Sequence, residues 1–495
     1  GIYGFASAGV LALVLHGDDR PSPHAVKLGG LPALPVGGAL LFACGTFSLI
    51  GFPLDDMWHR MFGQDVTLWG PTHVQMIMGA LVAIVAVIVL LVEGQRAAGM
   101  KLDGPAPSYL LGVARWALPG VVLIGISLQI TEFDWGVPQY RQVWQPLLLA
   151  GAAAFALIWA RMWAGRWGAL RALGLYLVAR GVLHLLVGAL GEVEPVLPLF
   201  VAEAVTVTLI GLVLDPHVRP LRFGAVTGFA VGAASFAATY WASQWQFRLP
   251  WHESLLAEGI PTALIAGTGA GVLAALAAQA MRGALPARNV ARPAAVLAGV
   301  ALLAVAVNAG ASSSPDGLRV QVDVTRVAGG QADVAVRFAD RERGRDANWL
   351  YVIAWQGGGI RTEALKRDGD VWRTASPVPF DADWKTALRL HDGRTLEAVA
   401  LRHPADTAIG LKAYSAPASA TATFVSETAV LQAERREDVP TWLWDVASAI
   451  VFTFVLLFLV ATGAGIARIG RPEVAPPAPR TPRRAPRRLL TPTHS

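Results

Sequence analysis

The chain has 495 residues, of which 54% are hydrophobic and 15% are charged, and its mean hydropathy is +0.47. This composition excludes a soluble globular domain and is typical of a multi-pass protein whose main partner is the lipid bilayer. The net charge of +6 does not indicate a nucleic-acid partner, because Lys and Arg recur in short loops between apolar runs.

Apolar runs of about 20 residues, the length that crosses a bilayer as a helix, follow one another along most of the chain. They lie near 32–51, 73–92, 109–131, 144–160, 172–190, 196–214, 224–242, 261–280, 294–311 and 441–467. An apolar N-terminal stretch precedes them, and we treat the true N-terminus as unknown. Together these runs predict a polytopic α-helical membrane protein with about eleven transmembrane helices.

The loops between the runs are of two alternating kinds. Lys and Arg collect in one kind, and such short basic loops are retained in the cytoplasm. The other kind is polar and rich in Trp, and it comprises 52–72, 132–144, 191–195, 244–254 and 312–438. We therefore predict a protein of the cell membrane that exposes these five segments on the extracytoplasmic side.

The chain divides into four parts by composition. Residues 1–311 form the polytopic helical domain, and 439–467 form a C-terminal transmembrane helix. Between them, residues 312–438 show short alternating apolar runs separated by turn residues, which predicts an extracytoplasmic immunoglobulin-like β-sandwich. The Arg- and Pro-rich tail at 468–495 is predicted to be disordered and cytoplasmic.

Two histidines of the predicted β-domain, His391 and His403, flank a hairpin signal at 392–393. We interpret both as surface residues and the domain as a docking or structural module.

The stretch 52–73, FPLDDMWHRMFGQDVTLWGPTH, is a polar island between two apolar runs. Asp55 and His59 stand four residues apart, so on a helix they share one face and can reach one ion. Pro71 favours a first helical position, which places His73 in the first turn of the next helix. Two imidazoles and a carboxylate suit copper, zinc or iron. The alternative is a wet interfacial loop whose polar and Trp residues lie at headgroup level.

Further polar residues of the same side are candidates for supporting roles around this metal site. Asp65 is interpreted as a partner of the ligands or as a helix cap, and the others are accessory candidates. The full set is Asp56, Asp65, Glu132, Asp134 and His252.

Arg180 and Glu203 lie at similar depths in consecutive apolar runs joined by a short loop. Since each charge would be costly alone inside a bilayer, we expect the two to form an ion pair. Structural pairing and a role on a proton or substrate path both remain open.

A family resemblance is carried by seven residues of the polar island: Asp55, Trp58, His59, Asp65, Pro71, Thr72 and His73. Their order resembles the C-type subunit of the copper membrane monooxygenases, which oxidise methane or ammonia, and the resemblance is limited to this segment. It implies that Asp55, His59 and His73 bind copper, although the residue types alone admit zinc or iron.

The same resemblance implies a copper-dependent oxidoreductase acting on a small apolar substrate, with partner membrane subunits and an electron donor. Two alternatives from other classes stay open. One is a copper-handling or transport protein, and the other is a non-catalytic membrane assembly factor.

Overall fold

The computed structural model describes residues 25–26, 34–63, 67–192, 196–340, 342, 344–357, 359–407, 410–432, 435–436 and 438–471. Within these ranges the chain forms a bundle of long apolar helices and a separate antiparallel β half-barrel. The N-terminal apolar stretch, Asp65 and the predicted tail beyond residue 471 lie outside the described residues.

The helices follow the apolar runs of the sequence. In chain order they are α1 Val36–Phe62, α2 Pro71–Ala97, α3 Tyr109–Ser127, α4 Thr131–Trp135, α5 Trp144–Ala164, α6 Gly168–Ala189, α7 Val201–Val213, α8 Pro220–Gln246, α9 Leu256–Met281, α10 Arg288–Gly310, α11 Glu427–Leu431 and α12 Thr441–Ile469. Nine helical segments in the described part of the chain are long and apolar enough to cross a membrane. Their outward faces expose large apolar side chains such as Leu185, which suits a lipid environment.

The apolar run predicted to span at 196–214 is only partly helical. Helix α7 has 13 residues, and residues 196–200 before it form neither helix nor strand and end at Phe200, which has a φ of 51°. Pro198 explains the break, because proline lacks an N–H and disfavours helical geometry in the residue before it. Side chains of α6 donate hydrogen bonds to two carbonyl groups that no helix pairs, as buried polar backbone groups require.

Two predicted loops are more helical than the sequence indicated. Helix α1 continues to Phe62 through Pro53, so Asp55 and His59 lie on regular helix rather than in a loop. A short 3₁₀ turn joins α3 to α4, and the helical segment Tyr109–Trp135 therefore carries Glu132 and Asp134 near its end.

The centre of the bundle is formed by α5 and α9, which are the most buried of the long helices. Helix α9 also lies very close to α8, because glycines face each other across the contact. A Cβ atom added to Gly228 would lie 2.2 Å from the carbonyl oxygen of Gly267. Small residues at such positions let two backbones approach within van der Waals distance.

The bundle has two chemically different ends. At the β-domain end lie Phe62, Pro71, Trp135 and Trp144, next to the half-barrel. The opposite end, which we call the basic end, collects the cationic residues of the short loops. Those are Arg96, Lys101, Arg161, Arg166, Arg171, Arg219, Arg222, Arg282, Arg288 and Arg292.

The half-barrel is one continuous sheet rather than the two-sheet immunoglobulin-like sandwich predicted. Its strands are β1 Arg319–Val327, β2 Gln331–Phe338, β3 Trp349–Gln356, β4 Gly359–Asp368, β5 Val371–Thr374, β6 Val378–Pro379, β7 Lys385–Asp392, β8 Thr395–His403, β9 Tyr414–Ser415, β10 Ser419–Thr423 and β11 Val425–Ser426.

The strand order explains the continuity of this sheet. Along the main path it is β10-β1-β2-β5-β4-β3-β7-β8-β11, and every pairing is antiparallel. Strand β4 pairs with β3 through residues 359–364 and with β5 through residues 365–368. The sheet curves around one core that includes Val322, Val352 and Leu388 from its two halves.

Strands β3 and β7 are buried on both faces. Val352 and Leu388 point into the half-barrel core, whereas Tyr351 and Ile353 on the other face of β3 belong to the core of the helical bundle. His391 lies on that second face, is 1% exposed and packs on the Trp349 ring at 4.4 Å. The interpretation of His391 as a surface residue is therefore wrong, because the bundle covers the face that alternation assigns to solvent.

Candidate metal centre

Asp55 and His59 lie on the last turns of α1, and His73 lies in the first turn of α2. One ligand atom from each residue comes within 4.8 Å of those of the other two. The side chains are 19%, 29% and 22% exposed, respectively, so the cluster is shielded yet reachable from outside the bundle. The helical spacing of the first pair and Pro71 at the start of α2 produce this convergence.

Asp55 stands at the centre of the cluster. Its Oδ1 lies 3.2 Å from Nε2 of His73 and 3.9 Å from Nε2 of His59. The Thr72 hydroxyl donates to the same oxygen at 2.6 Å. A neighbour of one ligand thus orients another, which is how outer hydrogen bonds usually fix a metal site.

The ring of His73 is held in one tautomer. Its Nδ1 lies 2.7 Å from the carbonyl oxygen of Thr67, and a carbonyl can only accept, so Nδ1 carries the proton. Nε2 then presents a lone pair toward Asp55 unless the ring is doubly protonated. A lone pair and a carboxylate oxygen do not attract each other, so a proton or a metal cation must stand between them. The arrangement fits a neutral imidazole ligand.

Glu132 holds the loop that positions His73. Its Oε1 accepts hydrogen bonds from the Thr67 hydroxyl and from the Leu68 N–H, both at 2.6 Å. Glu132 is 3% exposed and comes from α4, so it ties the turn before α2 to the third long helical segment. Glu132 therefore acts on the cluster through Thr67 and does not itself reach the three ligands.

Three aromatic side chains pack together beside the loop that precedes His73. Trp69 contacts the rings of Tyr140 and Trp144 at 5.4 and 5.2 Å. Burial raises the pKa of the Tyr140 phenol well above its usual value, and the nearby Glu132 carboxylate raises it further. Tyr140 is therefore a neutral hydroxyl beside the loop, and it supplies packing and polarity but no charge.

The other accessory candidates lie away from the cluster or outside the described residues. Asp56 is exposed and pairs with Arg60 at 2.8 Å. The ring of His252 accepts from the N–H of Ser254 at 3.2 Å and caps a 3₁₀ turn. Asp65 is not among the described residues, so its predicted role stays a prediction.

The predicted Arg180–Glu203 ion pair is wrong. Within the described residues, the carboxylate that lies against Arg180 is Asp134, with 3.7 Å between Nη2 and Oδ2 and both side chains 1% exposed. A backbone carbonyl of the non-helical residues 196–200, that of Val196, lies 3.1 Å from the guanidinium. Glu203 instead lies in the first turn of α7, where the helix dipole favours a carboxylate.

A buried latch joins the half-barrel to the loop beyond Glu132. Arg389 makes a bidentate ion pair with Glu427 at 2.5 and 2.9 Å, and it also donates to the carbonyls of Gly136 and Pro138. The Tyr351 hydroxyl donates to Gly136 at 2.9 Å. Burial lowers the pKa of Arg389, but Glu427 outweighs this and the net direction is upward. The latch thus remains charged and holds the loop on which Glu132 depends.

A second polar contact fixes the half-barrel to the bundle. Arg141 forms an ion pair with Glu258 and donates to the carbonyl oxygens of Asn308 and Gly393. The Asn308 amide in turn donates to Glu258 at 2.7 Å. Four parts of the chain that are far apart in sequence therefore share one network.

Sequence reasoning missed Thr67, Arg389 and Tyr351 as residues that support the site. Thr67 left no signal, because its partner Glu132 is 65 positions away. Arg389 gave a weak signal in the sequence. It lies between Leu388 and Leu390, so its side chain points to the opposite face of the strand, but that face is ordinarily exposed to solvent.

Compared with protein-family models, with curated proteins and with solved structures, the chain has no significant match. The candidate centre therefore rests on its own geometry.

Proposed function

We propose that this chain is an integral membrane metalloprotein that binds copper at Asp55, His59 and His73 and supports oxidation of a small apolar substrate. The observation that carries the proposal is the convergence of three ligand atoms within 4.8 Å, with the His73 tautomer set by the Thr67 carbonyl. One carboxylate and two imidazoles leave further coordination positions for exogenous ligands.

Copper is the metal that this donor set favours most. Imidazole ligands suit copper, zinc, iron and nickel, and the affinity of a given site for divalent metals peaks at copper. When bound, copper supplies one-electron chemistry and reacts with dioxygen. The protein's own residues keep His73 in one tautomer and orient the Asp55 carboxylate through Thr72.

The surroundings agree with a substrate that arrives through lipid. The centre lies at the ends of α1 and α2, and α1 exposes apolar side chains such as Met57 and Met61 on the same turns. We further propose that the β-domain end is extracytoplasmic, because the opposite end collects the short basic loops. A partner subunit or an electron donor would complete a redox cycle.

The test is metal content of the purified full-length chain after loading with copper and removal of excess ion. Asp55→Asn, His59→Ala and His73→Ala should each lose the bound copper. Asp56→Asn is the matched control for the carboxylate, since Asp56 is one residue away, exposed and paired with Arg60. His403→Ala is the control for loss of a histidine. Wild-type protein without stoichiometric metal, or equal losses in the controls, would contradict the proposal.

A copper-handling or transport function is the second candidate, and the 19–29% exposure of all three ligand side chains favours it because an ion can be exchanged. Copper-dependent oxygen consumption that requires both histidines supports the oxidase. Copper flux into vesicles without oxygen consumption supports the carrier instead.

A further inference from the structure

A cavity lies at the basic end, at the opposite ends of the helices from the candidate metal centre. Its volume is about 810 Å³, within the usual range for small-ligand sites. The residues that define its chemistry are Asp103, Arg115, Trp116, Trp163, Arg171 and Arg282.

The lining is strongly cationic. The lining contains three guanidinium groups and one carboxylate, that of Asp103. No other acidic side chain occurs among the described lining residues. Arg282 donates to the backbone carbonyl of Asp103 at 3.3 Å. Burial lowers the pKa of Arg282 more than the nearby Asp103 carboxylate raises it, so the net direction is downward.

Arg115 supplies a second, independent observation. It is 6% exposed, and its Nη1 donates to the Gly104 carbonyl at 2.8 Å. Its Nε is buried without a hydrogen-bond partner, although a buried donor normally has one. The Arg115 guanidinium is thus incompletely hydrogen-bonded at the cavity wall, where a bound anion would add negative charge nearby.

We propose that this cavity binds a phosphate group, with the headgroup of an anionic phospholipid as its primary source. The planar guanidinium fork matches phosphate oxygens in a bidentate manner. Trp116 and Trp163 add the aromatic surface that suits a headgroup region. Basic pockets between transmembrane helices on the cytoplasmic side are known to hold such headgroups.

The test measures binding of phosphatidylglycerol and of zwitterionic phosphatidylcholine by the purified full-length chain in detergent, using native mass spectrometry. Arg171→Gln and Arg282→Gln remove two of the three cations. Arg115 is left in place because it also holds the Gly104 carbonyl. Arg166→Gln is the matched control, because Arg166 belongs to the same end, is exposed and does not line the cavity.

We expect wild type to prefer phosphatidylglycerol and each lining variant to weaken that preference by about tenfold, as loss of a charge-assisted hydrogen bond does. Arg166→Gln should retain it. Inorganic phosphate that binds in an arginine-dependent manner and displaces no lipid would support the same site with a soluble source. Absence of both the lipid preference and phosphate binding, or an equal loss in Arg166→Gln, would overturn the proposal. Unchanged thermal unfolding of the variants shows that the loss is local.

Discussion

The carbonyl oxygen of Thr67 lies 2.7 Å from Nδ1 of His73, and the hydroxyl of the same threonine donates to Glu132 at 2.6 Å. One residue of the turn before α2 therefore connects a candidate ligand to a buried carboxylate of α4. The orientation of the imidazole depends on a residue 59 positions further along the chain.

Replacement of Glu132 by Gln should weaken copper binding without removing any of the three ligands. A neutral amide oxygen accepts more weakly than a carboxylate oxygen, so the hydrogen bonds from Thr67 and Leu68 weaken and the His73 ring is held less firmly. Loss of such an outer partner typically lowers metal affinity by about 10- to 100-fold. Competition titration with a copper chelator measures the change. Glu192→Gln is the control, because Glu192 is exposed at the same end, and an unchanged affinity in Glu132→Gln would contradict the proposed support.

The partner of Arg180 can be identified by double-mutant cycles. Arg180→Met combined with Asp134→Asn should show a coupling free energy of about 1–3 kcal/mol, because the two side chains are buried and in contact. The same cycle with Glu203→Gln should show a coupling near zero. Unfolding free energies in mixed micelles supply the four values of each cycle. A larger coupling to Glu203 would restore the ion pair expected from the sequence.

Removing only one partner of the buried Arg389–Glu427 ion pair should lower the free energy of unfolding substantially. Arg389→Met leaves the Glu427 carboxylate buried without its partner, and we expect a loss of about 3–5 kcal/mol in unfolding free energy. Adding Glu427→Gln should recover part of the loss, since the uncompensated charge is gone. Tryptophan fluorescence during denaturant unfolding reports the change. Arg337→Met cuts the partly exposed pair with Asp323 and should cost less than about 1 kcal/mol. Similar losses for the two arginines would count against the latch.

His391 should make the protein less stable in acid. Burial, together with the nearby cations Arg141 and Arg389, lowers its pKa from 6.5 to about 3. As pH falls below about 6.5, His391 binds a proton in the unfolded chain but not in the folded chain, where it is protonated only near pH 3. The free energy of unfolding therefore falls across that window. The slope is up to about 1.4 kcal/mol per pH unit.

The matched variants separate this histidine from the carboxylates that also titrate in acid. His391→Gln should flatten the pH dependence of the unfolding free energy between pH 6.5 and 4. His403→Gln is the control for loss of a partly buried histidine from the same half-barrel. An identical slope in wild type and His391→Gln would rule out a contribution from His391.

The helical part of the fold follows from the sequence because of the length of its apolar runs. A run of about 20 apolar residues has few structures other than a helix in which its backbone is satisfied. The exception is instructive: residues 196–200 are as apolar as their neighbours, but Pro198 breaks the helix, and Tyr176 and Arg180 hydrogen-bond its carbonyl groups. That compensation comes from another helix and leaves no local pattern.

The sequence predicted which three residues cluster at the candidate centre, but it did not predict the residues that position them. Asp55 and His59 are local in sequence, and Pro71 marks the helix start that carries His73. Glu132 was visible only as a spare carboxylate, since its contact with Thr67 spans 65 positions. Copper binding itself stays a prediction, because residue types and spacing define a donor set and not its occupant.

The two-faced burial of β3 and β7 bears on how the half-barrel could be used as an isolated fragment. Without the bundle, the half-barrel would expose Trp349, Tyr351 and Ile353 to water as one apolar surface. Such a fragment would self-associate instead of behaving as an independent domain. In the whole chain, the helical bundle covers this surface.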